Sequence, residues 1–161
     1  EDWDEKHWDN HVDVILKGAF FCVKAGLAQL RANYGNVVNI SSNLGVHAVR
    51  DNAGYCAAKG DQLNLNRALA LDLAPEVQVN CLCPRVMNTE LMRLCAEDRG
   101  DSESYYESYR QYAPLARLGE PEEFARSVVF LASEDAAFLT GSVLSADGGG
   151  TAGFLVQAVA L

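Results

Sequence analysis

Tyr55 and Lys59 stand four residues apart in Tyr55-Cys-Ala-Ala-Lys59, a spacing that puts both side chains on one face of a helix. Thirteen residues before the tyrosine is Ser42, the second of two hydroxyls closing the run Asn36-Val-Val-Asn-Ile-Ser-Ser42. That run reads as a buried strand. A hydroxyl leaving a strand end, aimed at a tyrosine–lysine pair on the next helix, is a workable site for proton transfer to a carbonyl oxygen. No glycine-rich phosphate loop precedes these residues.

The elements that must position this chemistry alternate between helix and strand. Residues 9–33 predict a helix, with Val12, Ile15, Leu16, Phe20, Val23, Leu27 and Leu30 spaced three and four apart. Asn33-Tyr34-Gly35 ends it with turn chemistry, and a strand follows at 36–42. A loop from Asn43 to Asn52 leads to a second long helix at 53–74, stopping before Pro75. The next strand runs from Val77 to Cys83 and stops at Pro84. Residues 88–112 predict polar helix, and a further helix opens at Gly119-Glu-Pro121, where proline is tolerated in the first turn, and runs to Ser133. Ser142–Ala146 is a last short strand before Asp147-Gly-Gly-Gly150. Strands separated by helices imply an α/β fold with a parallel sheet. There is no internal repeat and no linker, so residues 1–161 read as one domain, large enough for a real core.

Composition excludes several classes of function. The formal net charge is -9, from 22 acidic against 13 basic residues, and no Lys/Arg stripe exists to neutralise nucleic-acid phosphates. Hydrophobic residues make up 49% and charged ones 22%, ordinary for a soluble globular protein. No apolar run approaches the roughly 18 residues a membrane span needs, and the acidic start is neither a signal nor a transit peptide. The cytoplasm is the expected compartment.

Five cysteines, at 22, 56, 81, 83 and 95, read as buried free thiols. Cys81 and Cys83 share one face of a strand and are too close and too parallel for an ordinary bridge. His7 and His11 are also four apart, but they lie among Asp and Trp with no third ligand at a useful distance, so a solvated helix face is expected rather than a metal clip.

Seven motifs stand in order and register: Asn39-Ile-Ser-Ser42, Tyr55-x-x-x-Lys59, Val79-Asn80 followed by Pro84, Gly119-Glu-Pro-Glu-Glu123, Leu131-Ala-Ser133, Thr140-Gly141 and Asp147-Gly-Gly149. Together they resemble the short-chain dehydrogenases/reductases over nearly the whole chain. The resemblance implies part of a Rossmann-like doubly wound sheet, with about three strands retained and flanked by long helices. It implies an oxidoreductase that moves hydride between NAD or NADP and a secondary alcohol or ketone. Tyr55 would be the general acid/base, with Lys59 and Ser42 completing the catalytic set. A free phenol ionises at about pH 10, so working near neutrality asks for about 4 kcal/mol of selective phenolate stabilisation, part of it from the Lys59 ammonium. Tyr55, Lys59, Pro84, Val86 and Thr89 would hold the cofactor, the last three at the carboxamide. Loop 43–52 and segment 88–112 would form the substrate pocket and its lid.

Three departures from the family pattern carry physical consequences. Set against the family, the residues here begin at the helix after its fourth strand, so its first strand, glycine-rich turn and helix, about 90 residues of nucleotide-binding half, are expected to be missing, and Gly148-Gly-Gly150 follows the last strand without opening a helix. Ile15 stands where the family usually has an asparagine that holds a relay water. Arg85 replaces a glycine after the proline, adding bulk and positive charge near the nicotinamide. Asp61 and Gln62 are expected to place polarity in a helix contact between subunits. The first strand is expected at an unpaired sheet edge, which favours a homo-oligomer or association with an intact relative, with the apolar tail Phe154–Leu161 packing at the interface. Two classes of function follow: an NAD(P)-dependent oxidoreductase, or a catalytically inactive truncated remnant acting as an oligomerising interaction protein.

Overall fold

The computed structural model describes residues 4–153; the tail expected at a subunit interface lies outside them. Its strands are β1 (Asn36–Ile40), β2 (Gln78–Pro84) and β3 (Val143–Ala146), joined in the order β1-β2-β3 with both pairs parallel. Six α-helices accompany them: α1 (Glu5–His11), α2 (Gly18–Ala32), α3 (Ala53–Leu73), α4 (Glu90–Asp98), α5 (Ser102–Arg110) and α6 (Pro121–Leu131).

β2 is the centre of the sheet because it has a neighbour on each side and apolar residues on both faces. Val79, Cys81, Leu82 and Cys83 are all 0% exposed, the near-continuous burial that a covered parallel strand requires. Register pairs Val37 with Val79 and Asn39 with Cys81 on one side, and Cys81 with Val143 on the other. Helix α3 lies on this strand through Leu63, which packs on Cys81 and Cys83. Farther along, Leu69, Ala70 and Leu73 close a core with Val23, Val77 and Val79. These buried α3 positions recur at the three- and four-residue spacing of one helical face.

Asparagines lock the layers where apolar contact alone would let them slide. Asn39 Nδ2 donates to Asn66 Oδ1 at 3.1 Å, and Asn66 Nδ2 donates to the Ser142 carbonyl at 3.3 Å. Asn80 donates to the Leu139 carbonyl at 2.8 Å and accepts from Ser142 N–H at 3.1 Å. Losing one partner from such a buried pair costs about 1–3 kcal/mol, which makes register and helix placement specific.

The elements differ from the sequence expectation at their joints. The first helix starts at Glu5 and contains a π-helical stretch, Val12–Lys17, before continuing as α2. The left-handed residue ending α2 is Tyr34 (φ 49), not Gly35. The first strand stops at Ile40, because Ser42 caps a 3-10 turn, Asn43–Gly45, with its own side chain. The polar stretch 88–112 splits into α4 and α5 at Gly100 (φ 75), where Asp101 recaps the chain. α6 opens with a capping box between Glu120 and Glu123, and Arg117 grips the Glu123 carboxylate with two bonds of 2.7 Å. Arg117 is the main reason the Glu123 carboxyl is held down at about 2. The cysteines are all free, but only Cys81 and Cys83 are buried; Cys22 and Cys95 are exposed, on helix faces that the sheet does not cover.

The turn after β1 is pressed directly against α3. A Cβ on Gly45 would come within 2.6 Å of the Lys59 carbonyl oxygen and 2.9 Å of Ser41 Oγ. The same carbonyl accepts the Ser41 hydroxyl at 2.8 Å. Gly45→Ala is therefore expected to cost about 1–3 kcal/mol in denaturant unfolding, seen as a lower midpoint at unchanged slope. A midpoint equal to that of the parent chain would show that this approach is not tight.

Candidate active site

Three side chains singled out in the sequence come from two adjoining elements. Ser42 is extended (φ −160, ψ 156), buried, and accepts a hydrogen bond from Leu44 N–H at 3.0 Å. Its own hydroxyl donates to Asn43 Oδ1 at 3.3 Å, a long bond that a better acceptor can displace. Tyr55 lies in the first turn of α3 and Lys59 one turn later, both half-buried. No hydrogen bond joins Tyr55 to Ser42, and the phenol hydroxyl has no hydrogen-bond partner among the described residues.

Lys59 is the most constrained of the three. Its ammonium donates to the Ile40 carbonyl at 2.8 Å, lies 3.5 Å from Gln62 Oε1, and sits 5.9 Å from the centre of the Tyr55 ring. Burial pushes its pKa below the usual lysine value, opposed in smaller part by Cys81 and Cys83 on the strand beneath. Cys81 remains a thiol, its pKa raised first by hydrogen bonding to Cys83 and then by burial. The carbonyl that Lys59 reaches is available because β1 pairs only with β2 among the described residues.

The cofactor candidates meet in a cavity of about 480 Å³ beyond the strand ends, where Ile40, Pro84, Arg85, Val86, Thr89 and Tyr105 contribute walls. Pro84 ends the β2 ladder, as a residue without an N–H must. Val86 accepts from Gly119 N–H at 3.4 Å, while its own N–H has no acceptor among the described residues. Thr89 caps α4 by accepting from Met92 N–H at 3.3 Å, which leaves its O–H proton free to donate. An unspent N–H and an unspent O–H at one cavity mouth fit the polar edge of a carboxamide. Ser42, Tyr55 and Lys59 do not line this cavity; Lys59 joins it through Ile40, whose carbonyl it holds.

Several expectations are corrected at this site. His11 is not on a solvated face: its ring stands edge-on to Tyr55 at 6.0 Å, and His7, which remains exposed, bonds Asp4 at 2.8 Å. Gln62 does not face outward toward a neighbouring subunit but is buried beside Lys59, whereas Asp61 is exposed. Its i+3 spacing from Lys59 was the available signal. Arg85 walls the cavity shared by Pro84, Val86 and Thr89, with its guanidinium over the Tyr112 ring at 5.9 Å. Ile15 falls inside the π-helical stretch, half-buried and without a polar side-chain atom; such stretches often mark functional positions. Asn43, within 3.4 Å of His47 Nε2, extends the polar surroundings of Ser42 along the loop.

Comparison with known proteins bears on family and fold. Residues 1–151 match the family model described as enoyl-(acyl carrier protein) reductase. The acetoacetyl-CoA reductase of Rhizobium meliloti (strain 1021) is 39% identical over 146 residues, covering 89% of this chain and 58% of that protein. The ligand-free aldohexose dehydrogenase of Thermoplasma acidophilum superposes with a TM-score of 0.90 at 30% identity, over 98% of this chain and 64% of that one. ElxO with NADP bound superposes with a TM-score of 0.86 at 27% identity, over 94% and 61%. The chain spans between 53% and 64% of the length of the curated relatives it matches. A parallel sheet, a tyrosine–lysine pair on the helix behind it and a match over nearly the whole chain converge on one statement: this chain belongs to the short-chain dehydrogenase/reductase family.

Proposed function

We propose that these residues form the reacting end of an NAD(P)-dependent oxidoreductase that interconverts a secondary alcohol and its ketone. One observation carries the reading. The Lys59 ammonium, beside Tyr55 on one helix face, is bonded to the carbonyl of Ile40, which is itself a wall of the cavity holding Pro84, Val86 and Thr89. This supports reading the groups on one side of Ile40 as proton-transfer groups and those on the other as cofactor-binding groups.

Tyr55 gives its proton to the carbonyl oxygen in reduction and takes one from the alcohol in oxidation. The Lys59 ammonium favours the phenolate by its charge, and its partial burial strengthens that attraction over its value in water. Ser42 holds the substrate oxygen by turning its hydroxyl from Asn43, while Leu44 N–H keeps the serine oxygen in place. The Val86 N–H and the Thr89 hydroxyl hold the carboxamide of the nicotinamide. Bound NAD or NADP supplies or accepts the hydride. The NADP in the ElxO structure supports this choice of cofactor class. Relatives named for an acyl-CoA and for an aldohexose support a carbonyl or alcohol substrate in general. Self-association belongs to the same proposal: Val14 (75% exposed) and Phe21 (55%) leave an apolar stripe on the first long helix for a second copy to cover.

The first test is titration of the purified protein with NADH and with NADPH, following cofactor fluorescence, with mass checked by light scattering. Saturable binding at micromolar concentration is expected, followed by turnover of a ketone panel that Tyr55→Phe abolishes without changing the melting temperature. A folded protein that binds neither nucleotide, or full turnover by Tyr55→Phe, would overturn the reading.

A second expectation concerns pH. The ammonium favours the phenolate only while protonated, and burial lowers the pKa at which Lys59 gives up its proton. The rate of alcohol oxidation should therefore fall on the alkaline side at a pH below the ordinary lysine range. A profile with no fall below the ordinary lysine range would remove Lys59 from the proton-transfer step.

A further inference from the structure

We propose that Arg85 is a substrate-recognition residue that selects a carbonyl compound carrying one negative charge, a small oxo acid whose carboxylate it receives. Arg85 walls two adjoining cavities, one of about 480 Å³ shared with Ile40 and Thr89, the other of about 740 Å³ bounded by α6 and the Asp147–Thr151 turn. It stands at the junction between the reacting end and the open space beyond.

The guanidinium is in place but not satisfied. Its Nε is buried with no hydrogen-bond partner, and Arg85 takes part in no ion pair among the described residues. It is nonetheless held firmly. The ring of Tyr112 supports its face, and Gly150 makes room for it, since a Cβ there would meet Arg85 Nη1 at 2.8 Å. A buried charged donor without an acceptor is costly unless a ligand supplies the acceptor. A carboxylate matches the planar fork of a guanidinium with two parallel hydrogen bonds.

The surrounding charges set the ligand at a single negative charge. Arg117, the other cation on these walls, is spent on Glu123 through two bonds of 2.7 Å. Asp147 is spent on its own turn, accepting from Gly149 N–H at 3.0 Å and Thr151 N–H at 2.7 Å, and so does not neutralise Arg85. Its negative charge still lies in the wall of the larger cavity. One free cation facing one fixed anion suits a carboxylate and disfavours a dianionic phosphate. With its carboxylate on Arg85, a short oxo acid shares the smaller cavity with Ile40, whose carbonyl the Lys59 ammonium holds. The carbonyl end of this proposal rests on the oxidoreductase reading; the anionic end rests on Arg85 alone.

The experiment separates the two. The purified protein is titrated with acetoacetate and with acetoacetamide, its neutral counterpart of similar shape, while the Arg85 Nε–H resonance is followed by nitrogen-15 NMR. Acetoacetate is expected to shift that resonance and to bind at least tenfold more tightly than acetoacetamide. Arg85→Gln should erase the difference, and inorganic phosphate should bind more weakly than acetoacetate. Equal binding of the two ligands, no binding of acetoacetate, or tighter binding of phosphate would overturn the proposal. The comparison on the unaltered protein stands whether or not Arg85→Gln folds. A protein that prefers acetoacetate in this way but binds no NADH would lose the oxidoreductase reading and keep the anion site. One that binds NADH yet treats both ligands alike would lose the anion site only.

Discussion

The close seating of the turn after β1 on helix α3 is the constraint from which the site follows. Ser41 donates to the Lys59 carbonyl, and Gly45 approaches the same carbonyl so closely that no side chain fits between them. This contact fixes where Ser42 emerges relative to Tyr55 and Lys59, although no bond joins Ser42 to Tyr55 directly. It also explains why Lys59 points back toward β1: with its own carbonyl occupied by Ser41, the helix brings the ammonium to Ile40, whose oxygen lies at the open sheet edge. Distance and orientation are thus set by backbone groups, which hold geometry more tightly than side-chain contacts between flexible partners.

Beneath that contact, stability and chemistry share a strand. β2 supplies the centre of the core through Val79, Cys81, Leu82 and Cys83, and a few residues later the same chain supplies Pro84, Val86 and Thr89 to the cavity. A fully buried strand cannot shift register without exposing its whole apolar set, and the asparagine pairs on either side add a polar penalty to any slip. Pro84, Val86 and Thr89 inherit that rigidity. Lys59 shows the opposing side of the arrangement, since the burial that strengthens its pull on a phenolate also lowers its own proton affinity.

The tyrosine–lysine spacing and the apolar strand leading to the serine thirteen residues before it were legible in the sequence because each rests on local periodicity, 3.6 for a helix and 2 for a strand. The fold class followed from the order of those elements. Joints were less legible. The π-helical stretch at Val12–Lys17 leaves no mark in residue type, and the split between α4 and α5 came down to one glycine in a stretch polar throughout. His11 was misplaced because its surroundings are set by an element distant in the chain, Tyr55 of α3, whereas Gln62 lies buried beside Lys59 on the same helix, at a spacing the sequence does show.

Residue types and spacing pointed to the family to which the chain belongs and to the groups proposed to exchange a proton. Packing alone settled where the charges go. In sequence, Arg85 reads as bulk and charge after a proline; in three dimensions, it lies at the junction of two cavities beside Gly150 and Tyr112, while Arg117 and Asp147 are consumed by nearby partners. A charge is free or spent according to what lies within a few ångströms of it; Arg117 and Asp147 find their partners close by in the chain, whereas Arg85 meets Tyr112 and Gly150 from distant segments, beyond the reach of any local pattern.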